Sequence, residues 1–485
     1  MVAFAECYEL VSVKIGKSVK SIKYGAFGYC EKLSEVNIPD GVTDIGESAF
    51  SGCSGLTSIT IPDRVTSIGD SAFSGCSGLT SITIPDRVTS IGDSAFSGCS
   101  GLTSITIPDK VTSIGESAFE DCDKLVEVIN NSNLDIVKGS EENGCVAFYA
   151  LNVKKGGTTE IVDKDGYLFY TSNNVNYLLG YVGNETELTL PSDYNGQKYQ
   201  IYKYAFYNCY RLSSVIVPNE VTCIGDFAFS GCSELTTVMI GNGVTSIGDY
   251  AFYGCFGLTS VTIGNGVTSI EWSAFYGCSG LEKVVWNAEN CESAQHIFRD
   301  CPKLTEVTFG ENVKTIPNYA FEDCSGLMSI TILDSVTSIG NSAFGGCSGL
   351  TSIIIPDSVT SIGGSAFYGC SGLTSITIPD SVKIIGDGAF YGCTGLTSIT
   401  IPDSVIRIER YAFSGCSGLT SITIPDSVIR IESYTFSDCS GLQKIIFNGT
   451  MEQWNNIEKY SSWDNDSDIY TIYCTDGEIK KQEVY

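Results

Sequence analysis

The 485-residue chain contains one histidine, His296. Most acid–base pairs, nucleophile–base arrangements and zinc sites draw on histidine, so those chemistries are poorly supplied. Basic residues are also scarce: 28 Lys+Arg face 56 Asp+Glu, a formal net charge of −28. Nucleic acid and anionic lipid would be repelled by such a surface. No apolar run approaches the ~20 residues that cross a bilayer as a helix, so no membrane insertion is expected in this segment. The 21 cysteines contain no C-x-x-C pair, and zinc-knuckle spacing is therefore absent. There is no P-loop and no G-x-G-x-x-G opening a helix. The recurrent string G-C-S-G resembles a nucleophile elbow only superficially. It lacks G-x-S-x-G spacing, recurs in many places and has no His partner. Catalytic residues, cofactors and metal ligands are all expected to be none.

What the chain does have is repetition. GCSGLTSITIPDRVTSIGDSAFS recurs almost letter for letter. Phe4, Phe27, Phe50, Phe73, Phe96 and Phe119 are each 23 residues apart, and a second run of eleven extends from Phe206 to Phe436 without a slip. Each Phe is followed by Cys at +3, which accounts for 17 of the cysteines. Self-similarity at a fixed period means a stack of supersecondary units, each covering its neighbour's apolar face. The 43% hydrophobic content is enough to build that core despite the acidic balance.

In one unit, Ile59 and Ile61 alternate with Ser58 and Thr60, the period-2 pattern of a strand. Pro62 and Asp63 end it, because Pro donates no ladder bond and Asp favours a turn. Val65 and Ile68 mark a second short extended piece. Ser71 to Cys76 is too short for an α-helix and predicts one 3₁₀-like turn. The expected inward set is Leu56, Ile59, Ile61, Val65, Ile68, Ala72, Phe73 and Cys76.

The pattern L-x-x-I-x-I-P-x-x-V-x-x-I-x-x-x-A-F-x-x-C resembles the leucine-rich repeat of the BspA-like family, over about 390 of the 485 residues. The resemblance implies a right-handed leucine-rich repeat solenoid, mainly β, with a parallel concave sheet and short convex strands. It implies a secreted or cell-surface protein without enzymatic activity, adhering to an extracellular protein or glycan. It supplies no catalytic residues.

Departures from the repeat suggest four parts: residues 1–148, whose last unit is degenerate; a β-hairpin insert over 149–190; a second repeat block over 191–447; and a C-terminal cap over 448–485. In the degenerate unit Glu142 falls in the Phe column, Cys145 lies 23 residues after Cys122, and Phe148 is expected at the Leu position. Within the insert, Asp163-Lys164-Asp165-Gly166 reads as a hairpin turn. Four extra residues between Pro191 and Ile201 predict a bulged loop. Because Met1 to Phe4 lie inside a unit, the sequence reads as a fragment whose upstream part, with any signal peptide, is missing.

Several columns carry candidate functions. The cysteines read as buried thiols acting as small hydrophobes, since in-register side chains run parallel and do not converge as a disulfide requires. Acidic columns stack as well, Asp63 and Asp86 at the Pro-Asp turn and Glu47, Asp70, Asp93 and Glu116 after the turn Gly. Carboxylates about 5 Å apart repel unless bonded or bridged. Calcium bridging and Asp side chains bonded to local amides are the two readings. An aromatic-dense zone covers 199–286, with Tyr204, Phe227 and Tyr250 before the Ala and Tyr207, Tyr253 and Tyr276 after the Phe. Ile216 and Met239 replace Thr on the strand face. These eight are the candidate partner-binding residues; aromatic stacking between coils and against the insert is the competing reading. The remaining alternatives for the whole chain are a spacer that presents another domain and, using acid pairs such as Glu141/Glu142 or Asp163/Asp165, a glycan-processing enzyme.

Overall fold

The structure is a computed structural model that describes residues 3–481 except 292, 466, 468 and 469. The start at Met1 and Val2 therefore lies outside the described residues. The chain forms two compact units, Met1–Val182 and Gly183–Tyr485.

In the first unit each coil contributes three walls. Ser58–Thr60 pairs in parallel with Ser81–Thr83, Ile59 facing Ile82, a displacement of one repeat. The short strand Ser67–Ile68 pairs with Ser90–Ile91 on the second wall, part of a five-stranded parallel sheet running from Ser21–Ile22 to Ser113–Ile114. The third wall is the Ser71-to-Cys76 turn. Its 3₁₀-type bonds are present, from Ala72 N to Gly69 O and from Ser74 N to Ser71 O. The intervening amides of Ser71, Phe73 and Gly75 instead donate to Asp93, Ala95 and Ser97 of the next coil. The segment thus alternates between closing its own turn and bonding upward, and no backbone donor in it is orphaned.

The eight residues expected inward are all buried. Their centre is the phenylalanine stack, with centroids 5.3–5.4 Å apart from Phe27 through Phe96 and nearly parallel rings. Burying each ring is worth about 1.5–3 kcal/mol, and offset stacking adds about 0.5–1.5 kcal/mol. Stability therefore accumulates coil by coil. Close approach of successive coils explains one glycine: a Cβ on Gly92 would collide with Asp70 Oδ1 and lie 2.6 Å from Asp70 N.

The degenerate coil corrects the sequence reading. Glu127 pairs with Asn152 and Val128 with Val153, so this coil is 25 residues long. Ala150, 3% exposed, takes the Leu position, while Phe148 is 39% exposed and sits edge-on to Tyr149. Cys145 is only partly buried and does not extend the thiol column. Beyond it, Val162–Lys164, Tyr167–Ser172 and Val175–Tyr181 form an antiparallel meander. Asp163 Oδ1 accepts from Gly166 N, and Gly166 takes φ +83°, as a hairpin turn requires. The insert also buries Glu127, which pairs with Lys154 at 2.8 Å and accepts from Glu160 N.

The second unit repeats the plan. A six-stranded parallel sheet runs from Glu187–Thr189 to Glu306–Phe309. The extra residues before Ile201 form the expected bulged loop, built on a tight turn in which Tyr194 and Gln197 exchange both backbone bonds around Asn195 and Gly196, and the strand register then shifts between Tyr199 and Gln200. Asn195 and Gly196 have φ +54° and +73°, the Asn-Gly signature of such turns. At the far end, helix Met451–Asn456 opens with a capping box between Thr450 and Gln453 and buries Trp454. Trp463 takes the next place in the aromatic column, its carbonyl accepting from Phe436 N. Strand Thr471–Cys474 then extends the sheet, and Gly477–Lys480 folds back on it antiparallel.

Candidate functional site

In the regular coils from Phe27 onward, the residue two before the spine Phe adopts a left-handed backbone, with φ +59° at Tyr204, +53° at Phe227 and +52° at Tyr250. Bulky residues rarely sit there. The conformation turns the chain so that this residue's amide reaches the next coil, as in Phe227 N to Asp249 O at 2.8 Å. Side chains in this column consequently stack on one another. Tyr204, Phe227 and Tyr250 form a ladder with centroids 5.2 Å apart. Tyr207 meets Tyr204 edge-on, Tyr253 meets Tyr250 in the same way, and Tyr253 stacks on Tyr276. Six of the eight candidate residues thus form one ridge. The stacking reading holds for the ladder rings, which pack coil on coil and are half-buried; Tyr253 remains 42% exposed, with Trp272 and Phe256 exposed nearby. Asp300 accepts from the Tyr276 hydroxyl and raises its pKa.

Ile216 and Met239 do not join the ridge. They face each other across neighbouring strands of the parallel sheet, where both are exposed. Thr262 and Val285 continue that row.

The acidic column after the turn glycine is a ladder of another kind. Asp70 Oδ1 accepts from Asp93 N at 3.0 Å, and Asp93 Oδ1 from Glu116 N at 2.9 Å. The same link joins Asp226 to Asp249 and Asn318 to Asn341. These acceptors serve the amide one coil away, not a local one. Among the described residues no group of three or more His, Cys, Asp and Glu could hold a metal ion.

The thiol column is likewise built into the backbone. Cys53, Cys76 and Cys99 Sγ lie 3.1–3.2 Å from the carbonyls of Phe27, Phe50 and Phe73, each 26 residues earlier. Burial pushes the pKa of Cys301, Cys347 and Cys439 up to about 12. A thiol there is unreactive and serves as a small hydrophobe with a donor. His296 pairs with Glu322, whose pKa burial raises, and its ring lies between Trp272 and Tyr319 at 4.8 and 5.2 Å.

A feature that sequence reasoning missed lies further along the left-handed column. Between Tyr319 and Tyr411 it holds only Ser342, Ser365 and Gly388, and the missing rings leave an open trough of about 710 Å³ with Tyr368 and Tyr391 in its lining. The available signal was the gap itself, a run of small residues in a column that elsewhere in the second unit is mostly aromatic.

With the geometry established, comparison with known proteins is direct. The chain matches the family described as BspA type leucine rich repeat region over residues 1–126, 53–176, 199–328, 314–394 and 362–477. No curated protein matches it. A leucine-rich repeat protein of Bacteroides ovatus is 33% identical, over 76% of this chain and 88% of its own, with a TM-score of 0.41. A leucine rich cell surface protein of Faecalibacterium prausnitzii is 29% identical, over 63% of this chain and 99% of its own, with a TM-score of 0.31. Repeat, register and family match agree: this chain belongs to the BspA type leucine-rich repeat family.

Proposed function

We propose that the chain is a non-enzymatic, adhesin-like scaffold of the cell exterior, secreted or surface-displayed, that binds an extracellular protein partner through the ridge at Tyr207, Tyr253 and Tyr276. The observation that carries this reading is the concentration of exposed aromatics there, Tyr253, Phe256 and Trp272 within two adjoining coils. Large exposed aromatics held on a rigid frame are what a binding hot spot requires, because little side-chain entropy remains to be lost. The strand faces of the near-identical coils in the first unit are plain by comparison: Ser58 and Thr60, then Ser81 and Thr83, present only hydroxyls and methyl groups outward. The printed description of the Faecalibacterium relative as a cell surface protein agrees with the location. Among the described residues no helix is long and apolar enough to cross a membrane.

The test replaces Tyr207, Tyr253 and Tyr276 together by Ser and measures capture of extracellular matrix and plasma proteins. The neighbouring coil carries Ser230 at the corresponding position, so the fold tolerates the change. Capture by the native chain, weakened at least tenfold in the variant, supports the reading. Equal capture by both removes the ridge from the interface. No capture by either favours a spacer, the role to which the near-identical coils around Phe50 and Phe73 also correspond.

A further inference from the structure

We propose that the trough between Tyr319 and Tyr411 binds a neutral oligosaccharide. Its boundaries are four coil steps apart, roughly 19 Å at the usual strand spacing, which accommodates a short glycan chain lying along the stack. The lining combines two chemistries. Tyr368 and Tyr391 stack on each other at 5.5 Å and remain 47% and 40% exposed, and Tyr411 meets Tyr391 edge-on. Their electron-rich faces suit the C–H surface of a pyranose ring, as aromatic faces attract positive edges. Ser342, Ser365, Asn341 and Asp387 supply hydroxyl, amide and carboxylate groups within the same trough. A few directional polar groups set among aromatic surfaces is the composition of a small-ligand site.

Two observations narrow the ligand class. None of the described lining residues is basic and Asp387 is exposed among them, while Arg410 lies over the Tyr411 ring at one end, 4.9 Å from its centroid; the net charge of −28 disfavours sulfated, sialylated and phosphorylated ligands. An added peptide strand is disfavoured as well, because the backbone donors are committed. Ser342 N, Ser365 N and Gly388 N donate to Gly364, Asp387 and Arg410 of the following coils at 2.7–2.9 Å. Strand addition depends on unpaired backbone groups. Recognition must then proceed through side chains, on a ligand that supplies its own hydroxyl groups.

The trough shares no residue with the aromatic ridge, so the inference goes beyond the protein-binding reading and stands or falls separately. The column also provides its own test variant. Gly388 has φ +60° and Tyr411 φ +57°, so Gly388→Tyr introduces a side chain that the next coil already carries in that conformation. The added ring would occupy the trough. Removal of the lining rings by Tyr368→Ser with Tyr391→Ser follows the precedent of Ser414 one coil on.

The experiment is saturation-transfer NMR on the full chain, with neutral hexaoses of glucose, mannose, galactose and N-acetylglucosamine as probes. Expected is saturable transfer to ring C–H protons of at least one hexaose, with a Kd below about 1 mM. Gly388→Tyr and the double Ser variant should each weaken it at least tenfold, while Tyr253→Ser with Tyr276→Ser leaves it unchanged. The proposal is overturned if no hexaose binds, or if binding survives the filled trough.

Discussion

Raising the pH should unfold this protein through its cysteines. In the unfolded chain a thiol ionises near its ordinary pKa of 9.0, whereas Cys301, Cys347 and Cys439 are held near 12 by burial. A pKa raised by folding means the native state keeps its proton longer. Stability is therefore intact below pH 9 and is lost as pH rises from 9 toward 12. At pH 11 the unfolded thiol is favoured by about two pKa units, or about 2.7 kcal/mol per group. Three such groups amount to roughly 8 kcal/mol, which falls within the 5–15 kcal/mol that holds a typical domain together. The assay follows urea denaturation by far-ultraviolet circular dichroism at a series of pH values. The native chain should lose urea resistance steeply as pH rises from 9 to 11, and the triple variant Cys301→Ala/Cys347→Ala/Cys439→Ala should lose it less steeply. Equal pH slopes for the two proteins would refute the reasoning.

Other perturbations bear on the remaining columns. Phe96→Ala removes a ring stacked on both Phe73 and Phe119 and should cost about 3–5 kcal/mol, read from urea denaturation. Asp93→Ala removes the acceptor for Glu116 N and should cost about 1 kcal/mol, while Asp93→Asn retains an acceptor and should cost much less; equal losses would assign the effect to charge. Because these carboxylates already bond to backbone amides, the melting temperature should be the same in excess calcium and in chelator, as scanning calorimetry can establish.

The phenylalanine spine was legible because a buried ring recurring at one spacing leaves a stack as the economical way to bury every copy. The inward set around Phe73 followed from the same periodicity. The coil after Leu125 was misread because Cys145 happens to lie 23 residues after Cys122, while two added residues had already moved the strand pairing. Spacing between like letters cannot show where hydrogen bonds slip. The aromatic ladder was partly legible: the residues were evident, but their left-handed backbone was not, since Tyr and Phe give no local sign of it. Ile216 and Met239 were legible as strand-face residues from the period-2 pattern, and the parallel pairing puts them in a row separate from the ridge. The direction of the Asp bonds was hidden for a related reason, because a carboxylate that serves the next coil looks in sequence like one that caps its own turn. Hardest to see was the trough, which consists of side chains that are not there.

Residues 48–70 and 71–93 are identical at every position. Excising the second block would join Asp70 to Ser94 and leave the junction Asp-Ser unchanged, with each amide finding the same kind of acceptor one turn away. A gene encoding such tandem segments can gain or lose whole modules by misaligned recombination without creating a foreign interface. Reach, and not the chemistry of any contact, is then the property most readily altered by inheritance in this stretch of the chain.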